Sequence, residues 1–147
     1  MKYIIPAIFG LCLFGWSFPN QEVVIKEVEK EVVVFNDATA PFDEMFEIVS
    51  QVETRGDKDA IGDGGNSFGI VQIQAACVED VNNYWHTSFS HKDAFDVAKS
   101  RKIFQLYLTM LMHKKGIKTT EELVRCWNGG PNGYKKKSTI NYWNKYL

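Results

Sequence analysis

The stretch VETRGDKDAIGDGGNSFGIVQIQ, residues 52–74, decides how the chain is organised, because helical periodicity stops inside it. It carries one glutamate and three aspartates, and five of the eleven glycines of the chain lie between residues 55 and 69. Glycine adopts left-handed backbone conformations without strain and weakens helices, so this composition predicts an irregular loop with room for a small hairpin. The apolar run IVQI at residues 70–73 either closes the loop as a strand or opens the next helix.

The segment before the loop, APFDEMFEIVSQVET at residues 40–54, predicts an amphipathic helix. At about 100° per residue, Phe42, Phe46 and Val49 share one face of this helix. Viewed down the helix axis, Glu53 lies at an angle between those of Phe46 and Val49, so a carboxyl group lies within the apolar stripe in the last turn. Burial among apolar side chains raises the pKa of a carboxyl group and keeps it protonated closer to neutral pH. The alternative is that Glu53, at a helix end, extends into solvent.

A protonated carboxyl group beside an ionised one is the arrangement that glycoside hydrolysis requires. Glu53 is the candidate acid, and the loop offers Asp57, Asp59 and Asp63 as the second carboxylate. Asp63 is flanked by glycines on both sides, so the backbone there can approach a sugar closely. The separation of the two carboxyl groups distinguishes retention from inversion. The sequence does not give that distance, so both outcomes stay open.

The same loop partly fits a calcium-binding pattern, in which residues 57–68 would supply the ligands. Its fifth and twelfth positions are Ile61 and Phe68, where oxygen ligands are needed. Cys77 and Cys126 are not in a pair with zinc-ligand spacing, and form one disulfide at most. We therefore predict no metal and no cofactor.

The rest of the domain predicts a series of helices separated by glycine-rich turns, and the fold class α+β, mostly α. Ser90 is a candidate N-cap for the longest helix, and Gly116 a candidate stop. The predicted helices cover residues 74–85, 90–116, 119–130 and 138–147, with a basic turn-rich loop at 131–138.

The N-terminal part of the chain differs from this domain. Lys2 precedes an apolar run that continues to Phe14, and small residues follow at Gly15 and Ser17. This pattern predicts a signal peptide over residues 1–20, or a membrane anchor formed by residues 3–18. The valine-rich segment 21–37 is interpreted as a linker, and residues 38–147 as the functional domain. We expect an exported protein, secreted or periplasmic.

Charge is divided unevenly along the chain, although the formal net charge is only −1. Residues 37–96 contain 12 acidic and 3 basic residues, whereas residues 97–147 contain 11 basic and 2 acidic ones. Such an asymmetry favours a basic surface that faces a polyanion, although helix surfaces also scatter charge by chance.

Two segments resemble a known family. NSFGIVQI at residues 66–73 is similar to the Ser-x-Gly-x-x-Gln-Ile signature of lysozyme-like muramidases and lytic transglycosylases. RCWNGGPNGYKKKSTINYWNK at residues 125–145 resembles the C-terminal segment of invertebrate-type lysozymes, the destabilase family. The two blocks follow Glu53 in the family's order, so the resemblance covers about residues 45–145.

The resemblance implies a lysozyme-like fold with a small glycine-rich β or loop segment after the first domain helix. It also implies cleavage of the β-1,4 bond between N-acetylmuramic acid and N-acetylglucosamine in peptidoglycan. Glu53 matches the general acid of the family and Asp63 its second carboxylate. The substrate-binding residues expected from the matching blocks and from aromatic stacking are Ser67, Gln72, Trp127, Asn128, Gly129 and Tyr134. Trp85 and Tyr142 are further aromatic candidates, and core packing is the commoner role for each of these four aromatic side chains.

Several departures limit what the resemblance implies. Invertebrate-type lysozymes are rich in disulfides, while this domain has two cysteines; Tyr134 stands where they carry a cysteine, and Trp127 where a histidine is usual. The isopeptidase activity of some relatives is therefore not carried over, and a bacterial or phage-type member is expected. The expected partner is a glycan strand of peptidoglycan, and no nucleic acid partner is expected. The protein is expected to be a monomer. Two alternatives remain: a lytic transglycosylase that uses Glu53 alone, and a catalytically inactive wall-binding module.

Overall fold

A computed structural model describes residues 40–147, which are mostly helical and include one small antiparallel sheet. The predicted α+β, mostly α class is confirmed. The predicted signal or anchor segment and the linker, residues 1–37, lie outside the described residues. Within the described part, no helix is both long enough and apolar enough to cross a membrane. The helices are α1 Ala40–Thr54, α2 Ala75–Trp85, α3 Val97–Lys115, α4 Thr120–Gly129 and α5 Ile140–Tyr146; the strands are β1 Ile61–Gly62, β2 Ser67–Phe68 and β3 Ile73–Gln74; the 3-10 helices are His91–Phe95, Gly133–Lys135 and Lys137–Thr139.

The apolar stripe of α1 forms part of the core, as its periodicity predicts. Phe42, Phe46 and Val49 are buried, and the Phe46 ring packs edge-on against Phe104 of α3 with ring centroids 5.6 Å apart. Burying a side chain of this size stabilises the fold by roughly 1.5–3 kcal/mol. At the edge of this contact, Arg101 of α3 forms ion pairs with Asp43 and Glu47 of α1.

The prediction of one continuous helix over residues 90–116 is wrong, because the structure has two helices there, the 3-10 helix His91–Phe95 and α3. The backbone amide of Ser90 donates to the Asp93 carboxylate at the start of the 3-10 helix His91–Phe95. Asp96 then adopts an extended backbone, and its carboxylate accepts hydrogen bonds from the first amides of α3. An N-cap residue requires non-helical dihedrals, so this second cap interrupts the helix. The predicted stop is confirmed: Gly116 ends α3 with φ of 66°.

The glycine-rich loop forms a small hairpin and a third strand. The sheet order is β1-β2-β3, and Ser67 pairs with Gly62 on one side and Gln74 on the other. Of the run IVQI, only Ile73 lies in a strand, because residues 70–72 form a turn and β3 is Ile73–Gln74. The run therefore ends the loop, and α2 begins directly after β3 at Ala75. Gly69 is required here, because its φ is 74° and a Cβ atom would overlap the backbone carbonyl of Ala94.

The sheet is fixed against the 3-10 helix His91–Phe95. The His91 ring stacks on Phe68 with centroids 4.0 Å apart, and its Nε2 lies 2.7 Å from the Ile73 carbonyl oxygen. A carbonyl only accepts hydrogen bonds, so this ring nitrogen carries the donated proton. The contact holds strands β2 and β3 in place behind the acidic loop.

Candidate active site

A cleft of about 640 Å³ lies where the end of α1, the small sheet and helices α2 to α4 meet. Its walls are mostly polar, and they carry three carboxyl groups. The lining residues are Glu53, Asp63, Ser67, Gln72, Gln74, Ala76, Cys77, Asp80, Tyr107, Trp127, Asn128, Gly129, Gly130, Pro131, Lys136, Ser138 and Thr139.

Glu53 lies in the last turn of α1, at the wall of the cleft, and is half-buried. Its neighbour Thr54 donates a hydrogen bond to the Ile70 carbonyl oxygen, which ties the end of the helix to the sheet region. The Tyr142 hydroxyl donates to Glu53 Oε1 at 2.6 Å, and no described residue donates to Oε2. The alternative that Glu53 extends freely into solvent does not hold.

The pKa of Glu53 is raised above the ordinary glutamate value, chiefly because burial disfavours the charged form. The hydrogen bond from Tyr142 opposes this by favouring the carboxylate. The negative charge of Asp63 raises the pKa further, and Lys145 lowers it. The net effect is a carboxylic acid that keeps its proton to a higher pH than a solvent-exposed glutamate.

Asp63 stands in a different environment at the turn between β1 and β2. It is exposed and has φ of 50°, a left-handed conformation that aspartate tolerates better than most residues. Its Oδ2 accepts a hydrogen bond from Ser67 Oγ at 2.6 Å and a weaker one from Gln74 Nε2 at 3.3 Å. No described residue donates to Oδ1, so this oxygen is the one left for a ligand.

Ser67 and Gln72 line the cleft, but the Ser67 hydroxyl and the side-chain NH2 group of Gln72 form hydrogen bonds within the protein. Ser67 is buried, and its hydroxyl holds the Asp63 carboxylate. Gln72 has φ of 56°, and its side-chain amide donates to the Gly69 carbonyl oxygen at 3.0 Å. Its carbonyl oxygen also lies where a Cβ atom on Gly62 would sit, so the loop closes tightly around it. Both residues therefore shape the acidic loop.

The other wall of the cleft is formed by the end of α4 and the loop that follows. Trp127 is held by its indole N–H, which donates to the Val71 carbonyl oxygen at 3.2 Å, and by edge contacts with Phe104 and Tyr107. Asn128 is exposed beside it, and Gly129 packs against the Thr139 methyl group. The structure thus brings Trp127, Asn128 and Gly129 into the same cleft as the two acids.

Three aromatic residues proposed from the sequence as sugar contacts lie elsewhere. Tyr134 is packed against the core, with the Lys135 ammonium 5.2 Å from its ring centroid. Trp85 does not line the cleft, and its indole N–H donates to the Leu106 carbonyl oxygen of α3. Tyr142 is 8% exposed, and its hydroxyl serves Glu53. An aromatic side chain is apolar enough for the core and for a sugar face alike, so sequence alone did not separate these roles.

Sequence reasoning missed several cleft residues. Cys77 and Asp80 lie three residues apart on α2, so they share the face that borders the cleft. That spacing is the one local signal that was available for them. Tyr107 and Ser138 reach the cleft only through tertiary packing.

The loop after α4 is fixed by a buried hydroxyl. Thr139 Oγ1 donates towards the carbonyl oxygens of Gly133 and Lys136, and it accepts a hydrogen bond from Arg125 Nε at 3.0 Å. Arg125 in turn pairs with Glu121 one helical turn earlier. These contacts hold the loop residues of the cleft against α4.

Cys77 and Cys126 are both free thiols, so the single disulfide that the sequence allows between them is not formed. Burial, and secondarily the charge of Asp80, raises the pKa of the Cys77 thiol. A thiol that resists ionisation is a poor nucleophile, so Cys77 contributes shape rather than chemistry.

The fold and the site define a small, mostly helical α+β domain with a polar cleft, in which two of the three carboxyl groups, those of Glu53 and Asp63, have unlike environments. No protein-family model matches the chain, and no curated protein is detectably similar to it in sequence.

Proposed function

We propose that this protein is an exported muramidase with a lysozyme-like fold, which hydrolyses the β-1,4 bond between N-acetylmuramic acid and N-acetylglucosamine in peptidoglycan. The proposal is supported by the resemblance of residues 66–73 and 125–145 to muramidase segments and by the cleft that both blocks border. The single observation that carries it is the pair formed by a half-buried Glu53 and an exposed, hydrogen-bonded Asp63 in that cleft.

Glu53 is the proposed general acid. Because Tyr142 donates to Oε1, that oxygen acts as the carbonyl-type acceptor and the acidic proton resides on Oε2. Oε2 is then free to donate this proton to the glycosidic oxygen as the bond to the anomeric carbon breaks. Burial supports this role, because it favours the protonated form before reaction.

Asp63 is the proposed second carboxylate. Positive charge develops at the anomeric carbon in the transition state, and an ionised carboxylate nearby stabilises that charge or attacks the carbon. Ser67 holds Oδ2 and leaves Oδ1 for this purpose. The hydrogen bond restricts the side chain, so less reorganisation is needed when the charge develops.

The decisive experiment incubates the full chain with purified peptidoglycan and identifies the products by mass spectrometry. We expect muropeptides with reducing ends, and the summed mass of the products should increase by one water molecule for each bond cleaved. Glu53→Gln is expected to lower the rate by about 10²–10⁴-fold, the usual contribution of a general acid. Glu44→Gln, an exposed change of the same type on the same helix, is the matched control and should keep full activity.

Two results would contradict the proposal and support one of the alternative functions. Products that carry a 1,6-anhydro sugar, together with full activity of Asp63→Asn, would identify a transglycosylase that uses Glu53 alone. Wall binding without any product would identify an inactive binding module.

A further inference from the structure

The cleft contains one cation among its described lining residues, and that cation is Lys136. The neighbouring lysines of the basic loop, Lys135 and Lys137, do not line the cleft. Asp63 and Asp80 carry the negative charge of the same walls. A single ammonium group in an acid-rich cleft is a specific arrangement rather than a general property of the basic loop.

Lys136 is fixed at both its backbone and its side chain. Its backbone carbonyl oxygen accepts hydrogen bonds from Thr139 Oγ1 at 2.8 Å and from Arg125 at 3.1 Å. Its Nζ donates to the Gly129 carbonyl oxygen at 2.6 Å, at the end of α4. An ammonium group has three N–H donors, so two remain for another partner. The side chain is exposed, and a ligand in the cleft can reach it.

We propose that Lys136 binds a carboxylate of the substrate and thereby makes the cleft selective for anionic glycans. The inference rests on the proposed function and deepens it by naming the substituent that is recognised. N-acetylmuramic acid carries a lactyl group that ends in a carboxyl group or in a peptide with its own carboxylates. A polymer of N-acetylglucosamine alone carries none.

Electrostatics gives the reason why a cation is needed at this position. An anionic substituent that enters the cleft approaches Asp63 and Asp80, and both repel it. The ammonium of Lys136 offsets that repulsion and adds a charge-assisted hydrogen bond, which is stronger than a neutral one. If Lys136 only stabilised the end of α4 through its hydrogen bond to Gly129, its removal would weaken the binding of neutral and anionic ligands equally.

The test compares one glycan in two charge states. Soluble peptidoglycan strands are used either intact or with their carboxylates converted to methylamides, which removes the charge and changes little else. Affinity is measured for the full chain carrying Glu53→Gln, so that binding is read without turnover, and kcat/KM is measured for the chain with Glu53 intact. Lys136→Met removes the charge and keeps the apolar stem, Lys136→Arg keeps the charge, and Lys137→Met is the matched control one residue away.

We expect the protein to bind intact strands on the order of ten- to a hundredfold more tightly than amidated strands. Lys136→Met should abolish this preference by weakening binding of the intact strands alone, while Lys136→Arg and Lys137→Met retain it. Added salt should reduce the preference of the unmodified cleft, because a partly exposed ion pair is screened.

Equal binding of intact and amidated strands by the protein with Lys136 in place would overturn the proposal, even if Lys136→Met failed to fold. Equal loss on both substrates in Lys136→Met would also overturn it and would assign the lysine to the end of α4. These outcomes are distinct from failure of the proposed function, in which no strand is cleaved while the binding comparison still reads the charge preference.

Discussion

The hydrogen bond between Tyr142 and Glu53 gives the sharpest prediction, because one oxygen atom controls both stability and the pH dependence of activity. Tyr142→Phe removes the hydroxyl that donates to Glu53 Oε1 at 2.6 Å and keeps the buried ring. Since Tyr142 is 8% exposed, water has little access to replace the lost donor.

The magnitude depends on the charge of Glu53. A hydrogen bond to a charged group contributes about 1.5–3 kcal/mol, and one to a neutral group about 0.5–1.5 kcal/mol. Tyr142→Phe should therefore lower the free energy of unfolding by the larger amount at an alkaline pH above the raised pKa of Glu53, and by the smaller amount at an acid pH below the ordinary glutamate pKa. The hydrogen bond lowers the pKa of Glu53, so its removal raises that pKa further. Activity that needs the protonated acid should then persist to higher pH in the variant.

The assay combines urea denaturation at the two pH values with a pH–rate profile on peptidoglycan. Tyr146→Phe is the matched control, because Tyr146 lies on the same helix and stacks on Trp143, and no described residue shares a hydrogen bond with its hydroxyl. Equal losses of stability at both pH values, with the alkaline limb of the profile unmoved, would refute the assignment of Tyr142 as the partner of the acid.

Three further predictions concern the acidic loop and the acid itself. Ser67→Ala should lower kcat about tenfold with the fold intact, because the Asp63 carboxylate loses its hydrogen bond; steady-state kinetics beside circular dichroism checks this, and an unchanged kcat would contradict it. Because burial raises the pKa of Glu53 in the folded state, the stability it contributes is full below the unfolded pKa and is lost as the pH rises through the folded pKa. The Glu53→Gln variant should therefore become more stable relative to the unmodified protein as the pH rises, by about 1.4 kcal/mol for each unit by which folding raises the pKa of Glu53. Urea denaturation from acid to alkaline pH measures this difference in the free energy of unfolding, and a difference that does not change with pH would exclude the prediction. Gly69→Ala should lower the free energy of unfolding by more than about 2 kcal/mol, because its Cβ overlaps a backbone carbonyl, whereas Gly64→Ala meets open space and should cost only about 1 kcal/mol; similar losses in both would count against the packing argument.

The local elements were largely predictable from the sequence. The stripe of Phe42, Phe46 and Val49 marks α1 and places Glu53 at its buried end, because a helix repeats every 3.6 residues and the pattern needs no distant contact. Helix ends follow the same local rule. Thr119 caps α4 through Glu122, and Gly116 ends α3 in the left-handed conformation.

The composition of the site was only partly predictable. The first motif block named Ser67 and Gln72, and its position in the chain named Asp63 just before it; all three residues border the cleft. The block did not reveal that Ser67 and Gln72 use their polar groups to hold the loop, since a hydrogen-bond partner is a property of three-dimensional neighbours.

The sequence by itself determined the order of the helices, the glycine-rich loop between the first two, and the acid at the end of an apolar stripe. Each of these depends on neighbours within a few residues. The tertiary structure alone decided which tyrosine supports that acid, since Tyr142 and Glu53 are 89 positions apart. It also decided that Lys136, rather than either adjacent lysine, faces the cleft. Contacts of this kind form only when distant segments pack together, and periodicity carries no information about the partner across such a distance.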